Sequence, residues 1–413
     1  MIYELEPKEY ETVRPLFAGW RPYLVIFAVI DGHCPGKIYV DDRDDPRTAF
    51  LWDHDEGEFY LAGYAHNEEF NRDLNDCIRH RIRPYAQAHL PHLSEYTLYC
   101  DLDAWGPQCD VVLAGMNPMQ HRRQLYVGHA CSVTQACSVT QALREGLPAR
   151  VPDGFTLARI DEPILHSALQ GSDIMREWVL RPWRPAADFV RRETGFCLIH
   201  GDEIVSWCVS EHTCTPVPGA GKACQIGIYT CEGYRRRGFA TLVASATVAD
   251  CLAQGIAQIG WHCWARNVAS AATARRVGFE LAVDRPVYNG CFNPFDNLLL
   301  QAHYLSQARQ MAEAVARWEK AFEMWEAGDP DAAGSLHCSA YPDTVGWCYY
   351  AAGRARAQWG DLDAALRHLN KAVDNGWQDA RRLREDRELA GLRGTAEWDA
   401  LMGRLEAVMS AST

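Results

Sequence analysis

The sequence predicts an α+β protein in which strands and helices alternate over about the first 303 residues and an all-helical tail follows. Three observations carry this. Short β-branched and aromatic runs bounded by Gly, Pro and Asp recur as far as residue 302 and then cease. Beyond His303 the chain is dominated by Ala, Leu and Arg, with apolar residues at helical spacing. The length of 413 residues exceeds a single domain of about 150 residues, so more than one unit is expected.

In order along the chain, 37–40, 49–52 and 58–63 read as strands of a small antiparallel sheet around the turn-rich 41–47. Asn67 caps a helix whose apolar residues Phe70, Leu74, Ile78 and Ile82 recur every four positions. Runs 96–100 and 110–114 read as later strands. A six-residue duplication, 130–135 repeated at 136–141, reads as tolerated slippage without a function. Gly146, Pro148, Pro152 and Gly154 mark a boundary. Then come a strand at 155–160, helices at 162–170 and 172–179, a hairpin 195–200/204–210, and a strand at 222–230. A helix at 240–254, a strand at 258–265, a helix at 267–277, and closing strands at Tyr288 and 297–302 complete a mixed sheet. Helices are expected at 306–327, 344–373 and 395–409. The expected domains are 1–145, 153–303 and 305–413.

Composition narrows the function classes. With 48% hydrophobic and 23% charged residues and 14 Trp, the chain can build large cores and resembles no disordered class. No stretch of 18 apolar residues occurs, and the start is acidic where a signal peptide is basic, so a cytoplasmic protein without a membrane span is expected. The 16 Cys are scattered and form no C-x-x-C pair, which points to reduced thiols and no metal site. The net charge of −13 is distributed as −8 over 1–150, −1 over 151–303 and −4 over 304–413. Such a surface repels phosphate backbones, which argues against nucleic acid, and it tolerates a small anion best in the middle third.

The most informative stretch is 225–242, a strand followed by a turn and a helix. Arg235, Arg236 and Arg237 precede Gly238, Phe239, Ala240 and Thr241 at the opening of the helix, where backbone N–H groups and the helix dipole attract anions. A pyrophosphate suits this turn: Gly238 permits close backbone approach, Ala240 avoids a clash, and the guanidiniums flank the anion.

Arg235-x-x-Gly238-x-Ala240 after an apolar strand resembles the acetyl-CoA signature of the GCN5-related N-acetyltransferases, the GNAT superfamily. The likeness continues in strand 261–264, in Asn267-x-x-Ser270 and in 274–279, and it covers 153–303. It is greatest to a bacterial branch in which a degenerate GNAT-like half precedes the active one. The order of elements over 36–130 is compatible with such a half.

The resemblance implies acetyl-CoA as cosubstrate, without a metal. It implies that the strands at 225–230 and 258–265 part to admit pantetheine, which pairs with the backbone of Ile228 and Thr230. Tyr229 or Thr230 would polarise the thioester carbonyl through a backbone N–H, and Asn267 and Ser270 would hold the pantetheine arm. Asn267 also suits a helix N-cap. Two departures affect catalysis: Ala274 stands where many relatives carry an acidic Tyr, and Gln225 where many carry Glu. Glu211, His212 and His262 remain as candidate bases, and Tyr229 or Tyr288 as candidate acids. A covalent role for Cys231 or Cys263 is disfavoured because neither has an adjacent base.

In the tail, Gly353, Gly360, Ala365, Leu369 and Ala372 match the small and apolar positions of the tetratricopeptide repeat, with Gly360-Asp361 as the turn. A single helix pair cannot bury both faces, so it is expected to dock internally, form a homodimer or bind a protein partner. The expected activity is acetyl transfer to a small cationic primary amine by direct attack. The alternatives are a CoA-sensing scaffold and a protein N-terminal or lysine acetyltransferase.

Overall fold

The computed structural model describes residues 1–129, 151–180, 184–217, 219, 221–332 and 345–411. The duplication at 130–141 and the first part of the expected boundary lie outside the described residues. The chain divides into two compact units that are not consecutive in sequence. The first comprises 1–74, 98–108 and 120–287, and the second 75–97, 109–119 and 288–413.

The strands are β1 (Tyr3–Glu4), β2 (Gly36–Val40), β3 (Thr48–Asp53), β4 (Glu58–Gly63), β5 (Glu95–Tyr99), β6 (Met119–His129), β7 (Phe155–Arg159), β8 (Gly195–His200), β9 (Glu203–Cys214), β10 (Lys222–Thr230), β11 (Ile256–Trp264) and β12 (Glu280–Cys291). They form one sheet in the order β1-β2-β3-β4-β5-β12-β6-β11-β10-β9-β8-β7. The sheet is mixed: β10 and β11 are parallel, whereas β7/β8, β8/β9, β9/β10 and β6/β11 are antiparallel.

Two strand expectations are corrected. Residues 110–114 belong to the helix Leu102–Val112 and the turn after it, and 297–302 lie inside the helix Pro294–Gln307. Short apolar runs fit a buried strand and a buried helix equally well, so their periodicity could not decide. The helix expected over 162–170 is confined to Glu162–Leu165. The helix Leu24–Ile30 and strand β6 had no clear signal in the sequence.

In the first unit, one core joins Leu24–Ile30, every residue of which is buried, to Cys214, Ala223 and Val287. Residues from both expected α+β halves therefore share a core. A second core packs the helices Phe239–Ala253 and Val268–Val277 on Cys224, Ile226, Ile259, Trp261 and Cys263. Alternate residues of β11 feed that core and leave His262 on the opposite face, as the strand period of two requires.

The second unit has its own core, formed by the helices Pro294–Gln307, Met311–Glu326, Val345–Trp359, Leu362–Asp374 and Ala396–Ala411. Gly353 is the close-approach point of one helix pair. A Cβ there would lie 2.9 Å from Leu369 Cγ and 3.2 Å from the Ala365 carbonyl oxygen. Gly360, at φ +91°, makes the turn, and Asp361 caps the next helix by accepting from the Ala364 N–H at 3.1 Å. No helix among the described residues is long and apolar enough to cross a membrane.

Candidate active site

The site is built where β10 gives way to the helix Phe239–Ala253. After one 3-10 turn at Glu232–Tyr234, Arg235 is extended, Arg236 takes φ +63° and Gly238 takes φ +84°. Gly238 stands at the N-cap, and the first helical bond runs from the Leu242 N–H to the Gly238 carbonyl at 3.1 Å. The N–H groups of Phe239, Ala240 and Thr241 precede that bond and lack intrahelical acceptors. A Cβ on Gly238 would meet no atom within 4 Å. Glycine is thus required by the backbone angle, and the space above it is open to a ligand.

Arg235, Arg236 and Arg237 are exposed around this opening. Arg235 Nε donates to the Thr230 carbonyl at 3.2 Å. Arg237 lies over the Tyr234 ring, whose hydroxyl donates to Glu203 at 2.9 Å. These contacts hold two of the three arginines at the helix entrance, where the dipole adds to their charge.

The parallel ladder of β10 and β11 runs through Ala223–Gln258, Cys224–Ile259 and Gln225–Gly260 and then stops. Beyond that point β10 continues along β9 to the Thr230–Ser206 pair, while β11 continues along β6 to the Trp264–Arg123 pair. Each strand keeps its outer partner and loses the inner one. The facing backbone edges of 226–230 and 261–264 are left outside that ladder, so the two strands part there.

Around the slot, Ile228 is half-buried. The Tyr229 ring stacks on Trp207 at 4.5 Å, and Thr230 Oγ1 lies 2.8 Å from Ser206 Oγ. Asn267 caps its helix by accepting from the Ser270 N–H at 3.1 Å. The Ser270 hydroxyl accepts from the Trp261 indole at 2.9 Å.

The candidate acid–base groups are dispersed. Glu211 is buried and paired across the sheet with Gln225, at the point where the slot opens. Its carboxylate lies over Gly227, where a Cβ would come within 2.9 Å of Oε1. His212 takes φ +54° and is ion-paired at 3.0 Å with the buried Asp55. Burial opposes its charge, but the Asp55 hydrogen bond and charge prevail and raise its pKa to about 9. His262 is held down to about 4, mainly by burial, so it is neutral at pH 7, and its Nε2 lies 3.1 Å from the Pro22 carbonyl oxygen. Tyr288 falls in the second unit, whereas Glu211, His212 and His262 belong to the first.

A buried polar cluster had no signal in the sequence. The Glu58 carboxylate accepts from the Tyr99 hydroxyl at 2.7 Å, from Arg123 at 3.1 Å and from the Tyr60 hydroxyl. Arg123 Nε also donates to the Tyr99 oxygen at 2.8 Å. Burial drives both phenols upward and keeps them protonated. These residues come from β4, β5 and β6, which carry no motif. Cys34 joins Asp55 and His212 in another buried grouping, their polar atoms within 4.8 Å of one another. The sequence could not show it because the three are far apart along the chain.

The model of the GNAT acetyltransferase family matches residues 14–288. The chain is 28% identical over 290 residues to the uncharacterized N-acetyltransferase YdfB of Bacillus subtilis, covering 70% of this chain and 98% of that protein. Among solved structures it is similar to a GCN5-related N-acetyltransferase-like protein of Streptococcus suis, with TM-score 0.48 and 21% identity over 68% of this chain and 98% of that one. It is also similar to a GCN5-related N-acetyltransferase of Sphaerobacter thermophilus, with TM-score 0.45 and 10% identity over 71% and 96% of the two chains. With the family match spanning most of its length, this chain belongs to the GNAT acetyltransferases, acyltransferases that use acetyl-CoA as cosubstrate.

Proposed function

We propose that the chain transfers acetyl from acetyl-CoA to the primary amine of a small cationic molecule, by direct attack in a ternary complex. The observation that supports this most is the continuity of an open, arginine-flanked helix N-terminus at Gly238 with the slot between β10 and β11. The N–H groups of Gly238, Phe239, Ala240 and Thr241, with Arg235, Arg236 and Arg237, take the pyrophosphate. The backbones of Ile228 and Thr230 bind the pantetheine arm, and Asn267 and Ser270 border it. A backbone N–H of Tyr229 or Thr230 polarises the thioester carbonyl.

In the reaction the amine nitrogen forms the new C–N bond, the C–S bond breaks, and the amine proton leaves while the departing sulfur gains one. Glu211 is the favoured base because its carboxylate lies over Gly227, at the point where the two strands part. His262, although neutral, is bonded to Pro22, and Tyr229, on β10 in the same unit as Glu211, is the candidate acid. The charge of −8 over 1–150 favours a cationic acceptor drawn in by the long-range field.

The test is calorimetric titration with acetyl-CoA, followed by thiol release over an amine panel at low and high salt. Binding lost in Gly238→Glu, with kcat/KM for polycations falling as salt rises, is the expected outcome. No binding by the unaltered chain sinks the reading. Binding without thiol release by any amine favours the CoA-sensing scaffold, and turnover only of peptides favours a protein acceptor.

A further inference from the structure

The second unit contains a cavity of about 820 Å³, within the range of about 300–1,000 Å³ usual for small-molecule sites. All its described lining residues belong to that unit. Part of the wall, from Cys291 to Asp331, lies beyond the stretch matched by the acetyltransferase family. The cavity is therefore built with residues outside the family match, and the acetyl-transfer reading makes no use of it.

Its lining has two characters. Arg79, Arg83, Arg317 and Lys320 supply four cations against one carboxylate, Asp331. Asp331 is engaged by Arg83 at 2.7 Å. Among the described residues Arg79, Arg317 and Lys320 have no carboxylate partner, and all three are exposed. Arg317 and Lys320 stand three apart on the helix Met311–Glu326 and so share a face. The other character is apolar: Met116, Met119, Phe292, Leu298, Leu305 and Met324 line the same space. Three of the chain's eight methionines are among them, a choice suited to a ligand of variable shape.

Buried amides fix one wall. Asn297 Nδ2 donates to the Met116 and Asn117 carbonyls at 3.0 and 2.9 Å, and Gln301 Nε2 donates to the same Asn117 carbonyl at 2.5 Å. Asn117 itself takes φ +46°. The loop carrying Met116 and Met119 is thereby tied to the helix carrying Leu298 and Leu305, so this wall is formed before any ligand arrives.

We propose that this cavity binds an organic anion with an apolar chain, its carboxylate or phosphate head against Arg79, Arg317 and Lys320 and its tail against the methionines, Phe292 and the leucines. A fully polar anion would leave the apolar wall uncovered, and a cationic amphiphile would meet three like charges, whereas an anionic head is attracted by them.

The test is calorimetry on the full chain with decanoate, decyl phosphate, decyltrimethylammonium and inorganic phosphate. Decanoate or decyl phosphate should bind with one-to-one stoichiometry, and the tighter of the two identifies the head group. Affinity should fall at least about tenfold in Arg317→Glu/Lys320→Glu, whose sites are exposed and tolerate the change, and as salt is raised. Met324→Trp, which fills the tail space, should weaken the amphiphiles and leave inorganic phosphate unaffected. Acetyl-CoA affinity should be unchanged in all these variants, which separates this site from the proposed active site. Equal binding of the cationic amphiphile, indifference to charge reversal, or inorganic phosphate binding as tightly as decyl phosphate would overturn the proposal.

Discussion

Gly238 combines φ +84° with open space above its Cα, and these two properties make separable predictions. Gly238→Ala should cost about 1–2 kcal/mol through the left-handed backbone alone. Gly238→Glu should cost a similar amount but also lose acetyl-CoA binding by repulsion. Thermal melts alongside calorimetry distinguish the two effects. Glu211→Gln should lower kcat by about 10²–10⁴ while leaving acetyl-CoA affinity intact, if the buried carboxylate beside Gly227 takes the amine proton. Steady-state kinetics with equal kcat for the two forms would remove Glu211 from the chemistry. The His212–Asp55 pair sets a pH dependence. Its pKa is raised in the fold to about 9, so its contribution is complete below the ordinary histidine value of about 6.5 and is lost as pH rises through about 9. Asp55→Asn should cost about 3–5 kcal/mol and abolish that alkaline loss, as urea unfolding at pH 6 and pH 9 would measure.

Among the elements, β10 and β11 show how a ladder opens into a slot beside an irregular stretch of strand. The register of β10 shifts against β11 at Lys222/Ala223 and against β9 between Ala223 and Gln225, where His212 of β9 takes φ +54°, and beyond it β9 and β6 hold the two strands on opposite sides. The Gly360 turn and the apolar spacing after it were legible as a helical pair, since turn chemistry and helical period are local properties. Gly353→Val should cost about 1–3 kcal/mol, because a Cβ would already crowd Leu369 and the Ala365 carbonyl, and chemical denaturation would read this. The run Leu24–Ile30, rich in Val and Ile, is helical despite its strand-like composition. All seven residues are buried against strands from distant parts of the chain, and that packing outweighs local propensity.

For the molecule as a whole, the interleaving of the two units has a consequence. Within the second unit, residues 75–97 and 109–119 depend on the chain beyond 288: Arg83 pairs with Asp331, Tyr96 packs on Phe292, and the Met116 carbonyl accepts from Asn297. A chain ended at residue 288, where the family match stops, should therefore melt below the full protein even though its first unit is complete in sequence. Scanning calorimetry of the two lengths tests this, and an unchanged melting temperature would refute the dependence.

The turn at Gly238 and the helix after it were legible in the sequence alone, because a glycine turn opening a helix needs only neighbouring residues in order. The strands flanking it were equally legible from their alternation and bounding turns. Which carboxylate meets the slot, which histidine carries charge, and which cations converge on the second cavity were decided only by tertiary structure. Glu211 meets Gly227 across a ladder, His212 meets Asp55 from a distant strand, and Arg79 and Lys320 line one space from separate helices. Such encounters depend on sheet register and on the path of the chain between units, and neither is encoded in any window short enough to read.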